Sequence, residues 1–497
     1  MNDSLMKSAL LRSRTMLAAV TVLMLAGCAG APARLDAPDL RNDAPLAGLQ
    51  TPVRHGWPDA QWWRQYDDPQ LDDLMDRAMH QSPDLALAQA RVAHAEQSTK
   101  LAAAQLGLSV NGRAEVSRQR LSDYGLIPSR FLGFSWYNQA DLGVQLQYDF
   151  DWWGKKRATM EAALDQARAA SAQRSAAALA IQYAVANTYF DWQADQARLR
   201  LADQLLVTQQ QFTHIATLRV RQGVDLPDEA QKAQAQLAAV REMQAALAGS
   251  AKIRQAALAS LLGIAPAELP ALQPRPLPAV ERGLPADGKL DLIARRPDIA
   301  ASRWQVEAAL KRTDSARAEF FPDISLTALA GLSSIDMDKL LTAGSRTFAL
   351  TPALHLPIFN SGLLQANYGV SKAQLDAAVA QYNSTVLTAT REVATHALAA
   401  EQIAARRVEQ QAQVDADQHL LANAQARARQ GVRDLRESLG AQAALLQQRD
   451  AAIQLQAQAV STDLALIKAL GGGYHHVDAA SLTSPTISAG AATHERH

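Results

Sequence analysis

Cys28 is the only cysteine in the sequence, and its neighbours indicate what its thiol would react with. It closes the run Leu25-Ala26-Gly27-Cys28, behind basic Lys7, Arg12 and Arg14 and an apolar stretch from Leu17 to Ala26 too short to span a bilayer. Small residues before the cysteine suit cleavage of a secretory signal, and the tetrapeptide has the form of a bacterial lipobox. With no second cysteine an intrachain disulfide is excluded, whereas a thioether to lipid accounts for the thiol. The expectation is a lipoprotein signal over residues 1–27 and a covalent lipid on Cys28, with no other cofactor and no metal. Ala29, rather than Asp, after the cysteine favours sorting to the outer membrane.

A second set of chemically suggestive residues recurs twice. Arg219 stands four residues before Gly223-Val224, and Arg427 four before Gly431-Val432. Just beyond lie Asp225, Asp228 and Glu229 in the first copy, and Asp434 and Glu437 in the second. Arginine in a last helical turn followed by glycine is ordinary helix termination, and carboxylates in a first turn favour a helix start through the macrodipole. In a symmetric oligomer, however, each inward-facing carboxylate becomes a ring able to hold cations or pair with arginines, which makes these five acids gate or ion-ring candidates. Arg433 and Arg436 are placed to reach Asp225 or Asp228 of a neighbouring turn, or to be solvated. Trp152 and Trp153, before Gly154, suit an aromatic belt at a membrane rim or packing at a chain corner. His475 and His476 lie in a Ser-, Thr- and Ala-rich tail and lack metal-site spacing. No phosphate loop, metal-spaced His/Cys cluster or nucleophile motif is present, so no enzymatic activity is expected.

The positioning elements follow from periodicity. Lys plus Arg and Asp plus Glu both number 49, which argues against nucleic acid as a partner. After Cys28 no run of 18 apolar residues occurs, so a membrane-crossing helix bundle is excluded while a β-barrel is not. Self-similarity is the strongest internal signal. Arg221-Gln222-Gly223-Val224 returns as Arg429-Gln430-Gly431-Val432 at an offset of 208, which also pairs Gly154 with Gly362 and Leu262-Gly263 with Leu470-Gly471. Pro83-Asp84-Leu85 matches Pro297-Asp298-Ile299 at 214. The reading is a tandem repeat, residues 61–280 and 281–473, after an extended lipidated segment 28–60 and before a disordered tail 474–497.

Each repeat carries the same parts. A helix opens at a proline (Asp84 to Leu106; Asp298 to Glu319). A β-hairpin follows, over 108–151 and 322–359, with arms Val110–Arg118 and Ile324–Leu332 and alternating runs Leu142–Phe150 and Phe348–Ile358. About ten residues of period two is the length of a tilted barrel strand; a hairpin in a soluble sheet has the same pattern. Prolines 352 and 357 are expected near the ends of the last strand or at a bulge. Then Lys155–Gln222 and Val370–Gln430 contain neither Gly nor Pro, predicting rods of about 90–100 Å. Each rod turns at Arg-Gln-Gly-Val and returns through Asp228–Leu262 or Val432–Leu470, completing helical hairpins 155–263 and 363–471.

Four strands cannot enclose a lumen, since side chains crowd the bore below about eight. Strands in a membrane must therefore be pooled among copies, and three copies give twelve. On Trp62-Trp63, Asp68-Pro69-Gln70-Leu71, Asp149-Phe150-Asp151-Trp152-Trp153-Gly154, Arg295-Arg296-Pro297-Asp298-Ile299 and Leu470-Gly471-Gly472-Gly473, the chain resembles the TolC-like outer membrane efflux factors, lipoprotein branch. The resemblance covers residues 62–473. It implies a mainly α, mixed fold: a homotrimer with a twelve-stranded transmembrane β-barrel, four strands per chain, continued by a long α-helical periplasmic barrel. It further implies passive conduction of drugs or other small toxic compounds to the exterior. Its partners would be a periplasmic adaptor and an inner-membrane pump of the resistance-nodulation-division or major facilitator type, with outer-membrane lipid around the barrel. In this family the Arg-x-x-x-Gly pattern lies at the adaptor-facing tip, which assigns Arg219, Gly223, Val224, Arg427, Gly431 and Val432 to docking. Where many members carry Asp in the last return helix, this chain has Gly440, shifting any acidic ring. A type I secretion duct and a periplasmic coiled-coil adaptor or scaffold lipoprotein are the competing readings.

Overall fold

The structure is a computed structural model and describes residues 31–36, 38–43, 53–54, 56–124, 128–280, 284–285 and 294–475. Cys28, the signal segment, His476 and the rest of the tail lie outside the described residues. Two compact units divide the chain. One gathers residues 1–40, 91–170 and 302–382; the other gathers 41–90, 171–301 and 383–497.

The described elements run α1 (Pro69–Gln81), α2 (Pro83–Ala104), β1 (Ser109–Arg120), β2 (Trp136–Phe150), α3 (Lys155–Arg221), α4 (Pro227–Leu262), α5 (Pro297–Ala318), β3 (Asp323–Ser334), β4 (Arg346–His355), α6 (Leu363–Arg429) and α7 (Leu435–Ala469). From α2 to α4 and from α5 to α7 the order is the same, and α3 and α6 are each 67 residues long. At 1.5 Å per residue each is about 100 Å. Several boundaries differ from those expected. α1 was not anticipated, although Asp68 caps it by accepting from the Gln70 amide at 3.0 Å and Pro69 opens it. α6 begins at Leu363, the residue at which the sequence places the start of its hairpin, and runs through Gly369 ahead of the glycine-free stretch, because one glycine in a long packed helix costs only about 1 kcal/mol. α7 begins at Leu435 rather than Val432, since Asp434 is its N-cap and accepts from the Arg436 amide at 3.0 Å.

These four strands form one antiparallel sheet in the order β1-β2-β3-β4, and a separate two-residue parallel pairing joins Val53–Arg54 to Leu284–Pro285. Register runs from Ser109↔Gln147 to Arg120↔Trp136, from Ala140↔Ser334 to Phe150↔Ile324, and from Asp323↔His355 to Leu332↔Arg346. Directly opposed residues share a face, so the pairing sorts the sheet into two surfaces. One carries Val110, Val116, Leu142, Val144, Leu146, Tyr148, Phe150, Ile324, Leu326, Leu332, Phe348, Leu350 and Leu354. The other carries Asn111, Glu115, Gln145, Gln147, Ser325, Thr327 and Thr351. Most of the apolar side chains remain exposed. β4 ends at His355, three residues short of the expected Ile358. Pro352 sits inside it opposite Leu326, not at an end, in a strand that is paired on one side within the chain.

In the other unit the core joins Trp62, Trp63, Tyr66, Leu71, Leu74 and Met75 to Val185, Tyr189 and Phe190 of α3, Leu258 and Leu262 of α4, and Val460, Leu464 and Ile467 of α7. The Tyr189 hydroxyl donates to Asp68 at 2.6 Å and accepts from Gln193 at 2.7 Å, and burial together with the Asp68 carboxylate raises its pKa.

Two motifs distant in sequence meet here. The Arg296 guanidinium, 9% exposed, donates to the Ala469 carbonyl at 2.9 Å, and pairs with Asp298 at 2.7 Å and Glu392 at 2.9 Å. It thereby places positive charge at the C-terminus of α7, where the helix dipole favours it. Gly471 follows in a left-handed conformation, φ +93°, and a Cβ there would lie 1.9 Å from the Arg295 carbonyl oxygen. Replacing Arg296 by Ala strands two carboxylates and a helix-end carbonyl. Since both carboxylates are 40% exposed, the expected loss is about 2–4 kcal/mol, below that of a fully buried pair. Thermal unfolding followed by circular dichroism measures it, and an unchanged midpoint would exclude this role.

Candidate functional site: the charged turns of the helical hairpins

Both hairpin turns close by the same backbone device. Val224 N–H donates to the Arg219 carbonyl at 2.9 Å and Gly223 N–H to Val220 at 3.0 Å; Val432 donates to Arg427 at 3.0 Å and Gly431 to Ala428 at 3.1 Å. This six-to-one plus five-to-two pattern is a Schellman motif. Gly223 and Gly431 take φ of +71° and +70°, a region unfavourable for other residues. The Arg-x-x-x-Gly spacing thus places the arginine at the residue whose carbonyl accepts the closing bond. In most such motifs the residue after the glycine packs on an apolar side chain there. Here that partner is arginine, and Val224 and Val432 are left 57% and 64% exposed. Leu226 and Leu435 are exposed beside them. The turns therefore present apolar groups as well as charge.

The charges interlock. Arg219 grips Asp225 bidentately, Nε to Oδ2 at 2.8 Å and Nη2 to Oδ1 at 3.0 Å. Arg436, from the second hairpin, donates Nη1 to the same Asp225 oxygen at 3.0 Å and Nε to Asp434 at 2.9 Å. Arg219 Nη1 lies 3.5 Å from Asp434 Oδ2, which closes the square. Two arginines and two aspartates so clasp the two hairpins of one chain together. The Arg219 hydrogen bond holds the Asp225 carboxyl below its usual range against partial desolvation, and Arg436 adds to the effect. Asp434 is lowered chiefly by the Arg436 amide, then by its guanidinium. Arg219 is raised in turn by Asp225.

The remaining acids lie elsewhere. Glu437 accepts from Arg427 at 2.6 Å and is 3.7 Å from Arg433. Arg433 therefore reaches Glu437 of its own helix start rather than Asp225 or Asp228, being one turn from it, while Arg436 does reach Asp225. Glu229 pairs with Lys232 at 2.8 Å, and Asp228 stands exposed in the first turn of α4. Gly440 is not filled by any neighbour: a Cβ there would meet nothing within 4 Å. It borders a groove of about 570 Å³ of mixed character, lined by Leu205, Phe212, Met243 and Leu446 together with Gln209, Gln236 and Asp450. The acidic weight thus sits in the turn and not at this helical position.

At the strand-to-helix corner, Asp151 caps α3 by accepting from the Lys156 and Arg157 amides at 2.9 and 2.8 Å. Trp153 donates to the Pro322 carbonyl at 2.9 Å and stacks on Phe321 with ring centroids 4.6 Å apart; both Trp152 and Trp153 are exposed, Trp152 the more so. Among the described residues His475 is exposed.

The profile of the outer membrane efflux protein family matches residues 74–264 and 291–472. Multidrug resistance outer membrane protein MdtP of Escherichia coli O6:H1 is 33% identical over 426 residues, covering 84% of this chain and 87% of that protein. MdtQ, a multidrug resistance outer membrane protein of Escherichia coli O157:H7, is 33% identical over 467 residues, 91% and 96% of the two chains. The crystal structure of the outer membrane protein VceC of Vibrio cholerae superposes with a TM-score of 0.76 at 30% identity, covering 84% of this chain and all of that one. Matches of this extent carry both the helical hairpins and the sheet. The chain belongs to the outer membrane efflux protein family and is an outer-membrane protein.

Proposed function

We propose that the chain is the exit channel of a tripartite efflux system, a homotrimer that passively conducts small toxic compounds delivered by an inner-membrane pump through a periplasmic adaptor. The observation that carries this reading is the two-faced sheet. Its apolar face is exposed, and β1 and β4 each have one unpaired edge in a single chain. In hydrocarbon every unpaired backbone group costs several kcal/mol, so edges must be closed. Three copies of the four-stranded sheet join β4 of one to β1 of the next and give twelve strands with the polar face inward. On this reading the tandem repeat supplies one strand hairpin and one helical hairpin per half, Trp152 lies in the inner aromatic belt, and Cys28 carries the lipid.

The exposed valines of the two turns and Arg427 are adaptor-docking groups, Arg219 joins them once docking releases it, and the four-residue clasp that holds it keeps the tip shut. Gly223→Pro removes one of the two amides of the turn motif and cannot take its φ of +71°, and Arg427→Glu sets a carboxylate against Glu437. Both are expected to abolish efflux while trimers still assemble, measured as drug susceptibility beside heat-modifiable mobility. Labelled palmitate incorporation, lost in Cys28→Ser, checks the anchor. Wild-type protein that is monomeric in detergent and silent in planar bilayers would overturn the channel reading.

A further inference from the structure

Every charged side chain on the apolar face of the sheet is an arginine, and all lie at the end away from the long helices. The strand register fixes this. Along β1 that face reads Val110, Gly112, Ala114, Val116, Arg118, Arg120; along β4 it reads Arg346, Phe348, Leu350, Pro352, Leu354. β2 and β3 contribute no charge to it. The carboxylates of the strands, Glu115, Asp141, Asp149 and Asp323, all fall on the opposite face.

The positions relate to a membrane in a definite way. From Phe150 to Ala140 the apolar face of β2 runs ten residue steps, about 34 Å along the strand and about 25 Å along the axis at a tilt near 40°, which matches the apolar band of a barrel. The Arg118↔Asn138 pair comes immediately beyond that band, and the Arg120↔Trp136 pair immediately after. Arg118 lies over the Trp136 ring at 5.5 Å, the pairing of cation and aromatic found at a head-group level. Arg346 opens β4 next to exposed Phe348 and Leu350, and Arg118 follows exposed Val116. The three guanidinium groups are exposed at the outer ends of the two edge strands.

We propose that Arg118, Arg120 and Arg346 form a binding surface for the phosphate groups of lipid in the outward-facing leaflet, with the acyl chains lying along Val116, Phe348 and Leu350. Guanidinium binds phosphate in a bidentate fork, and each basic group near a charged surface contributes about 1 kcal/mol. Because β1 and β4 are the two edges that meet when copies close a barrel, the phosphates would also bridge neighbouring copies. This inference rests on the barrel reading above.

The test uses the full lipidated protein in mixed micelles holding equal amounts of a bis-phosphorylated glycolipid and its dephosphorylated form, with bound lipid counted by native mass spectrometry. Wild type is expected to retain the phosphorylated form at least about fivefold over the other. The triple variant R118Q/R120Q/R346Q should fall to near parity, and the corresponding triple lysine variant should keep part of the preference. Single-channel conductance in phosphatidylcholine bilayers should be the same for all three proteins, which shows that the barrel is intact. Equal retention in wild type, an undiminished preference in the glutamine variant, or abolition of the preference by millimolar inorganic phosphate would each overturn the assignment. Loss of conductance in wild type would instead remove the channel reading, and the lipid surface with it.

Discussion

Replacing Gly331 by leucine is expected to eliminate heat-modifiable trimers while leaving the helical hairpins folded. Gly331 pairs with Gly143 at the centre of the sheet, where β2 and β3 join the two strand hairpins. A Cβ built on Gly331 would stand 2.5 Å from the Leu142 carbonyl oxygen and 2.8 Å from the Gly143 Cα. Both obstacles are backbone, so no side-chain rotation relieves them, and the strands must part. Parting breaks the ladder that unites the halves of the sheet and, in the proposed barrel, leaves groups unpaired in lipid, at several kcal/mol each. The reciprocal change is milder: a Cβ on Gly143 would lie 3.1 Å from the Ala330 carbonyl oxygen. Gly143→Ala should therefore still assemble, with a lowered dissociation temperature, and Gly331→Ala should be worse. Circular dichroism with unaltered helix signal, beside gel mobility of unheated samples, reads both. Normal trimers in Gly331→Leu would show that the strands do not approach each other this closely.

That glycine pair also marks where reading the sequence stops. Gly143 is legible only as a polar-side position of an alternating strand, and its counterpart lies 188 residues away, so nothing local reports the contact. The helices were legible because length is a local property: absence of Gly and Pro over 155–222 and the Arg-Gln-Gly-Val turns delimit α3 almost to the residue. The sheet was legible in alternation but short in extent, since β2 begins at Trp136 and not at Leu142; the polar pairs beyond the apolar band carry no periodic apolar signal. Pairing explains Arg296 too. As a motif it is only a run before a helix, whereas its bond to the Ala469 carbonyl shows it to be the stopper of α7. For the turns, residue types were readable, and Arg436 reaching toward Asp225 was among the pairings expected. Which four charges form one square was not, because it depends on the angle between two hairpins. Asp225 belongs to it and Asp228, three residues later, does not, since helix α4 has already rotated Asp228 to solvent.

On the proposed reading, in which the clasp shuts the tip, removing the two carboxylates of that square should open the channel. In Asp225→Ala/Asp434→Ala, Arg219 and Arg436 lose every partner that joins them across the turns and repel one another, so closed-state conductance in planar bilayers is expected to rise severalfold, with trimers intact. Neither single carboxylate is dispensable, yet Asp225 should dominate, because it accepts from both arginines and is 14% exposed against 38% for Asp434. Charge reversal at Asp225 to Arg should exceed truncation. The pH dependence follows from the direction of the shifts. Both folded-state values lie below the ordinary carboxylate range, so the clasp is fully charged above that range and is lost only as pH falls through the lowered values. Conductance should hence be flat from pH 8 to about 5 and rise only in stronger acid. Salt acts separately: at 1 M the screening length is about 3 Å, so these partly exposed pairs weaken and wild type should move toward the variant. A double variant that conducts like wild type, or a wild-type channel that opens near pH 6, would remove the proposed assignment of the gate to these four charges.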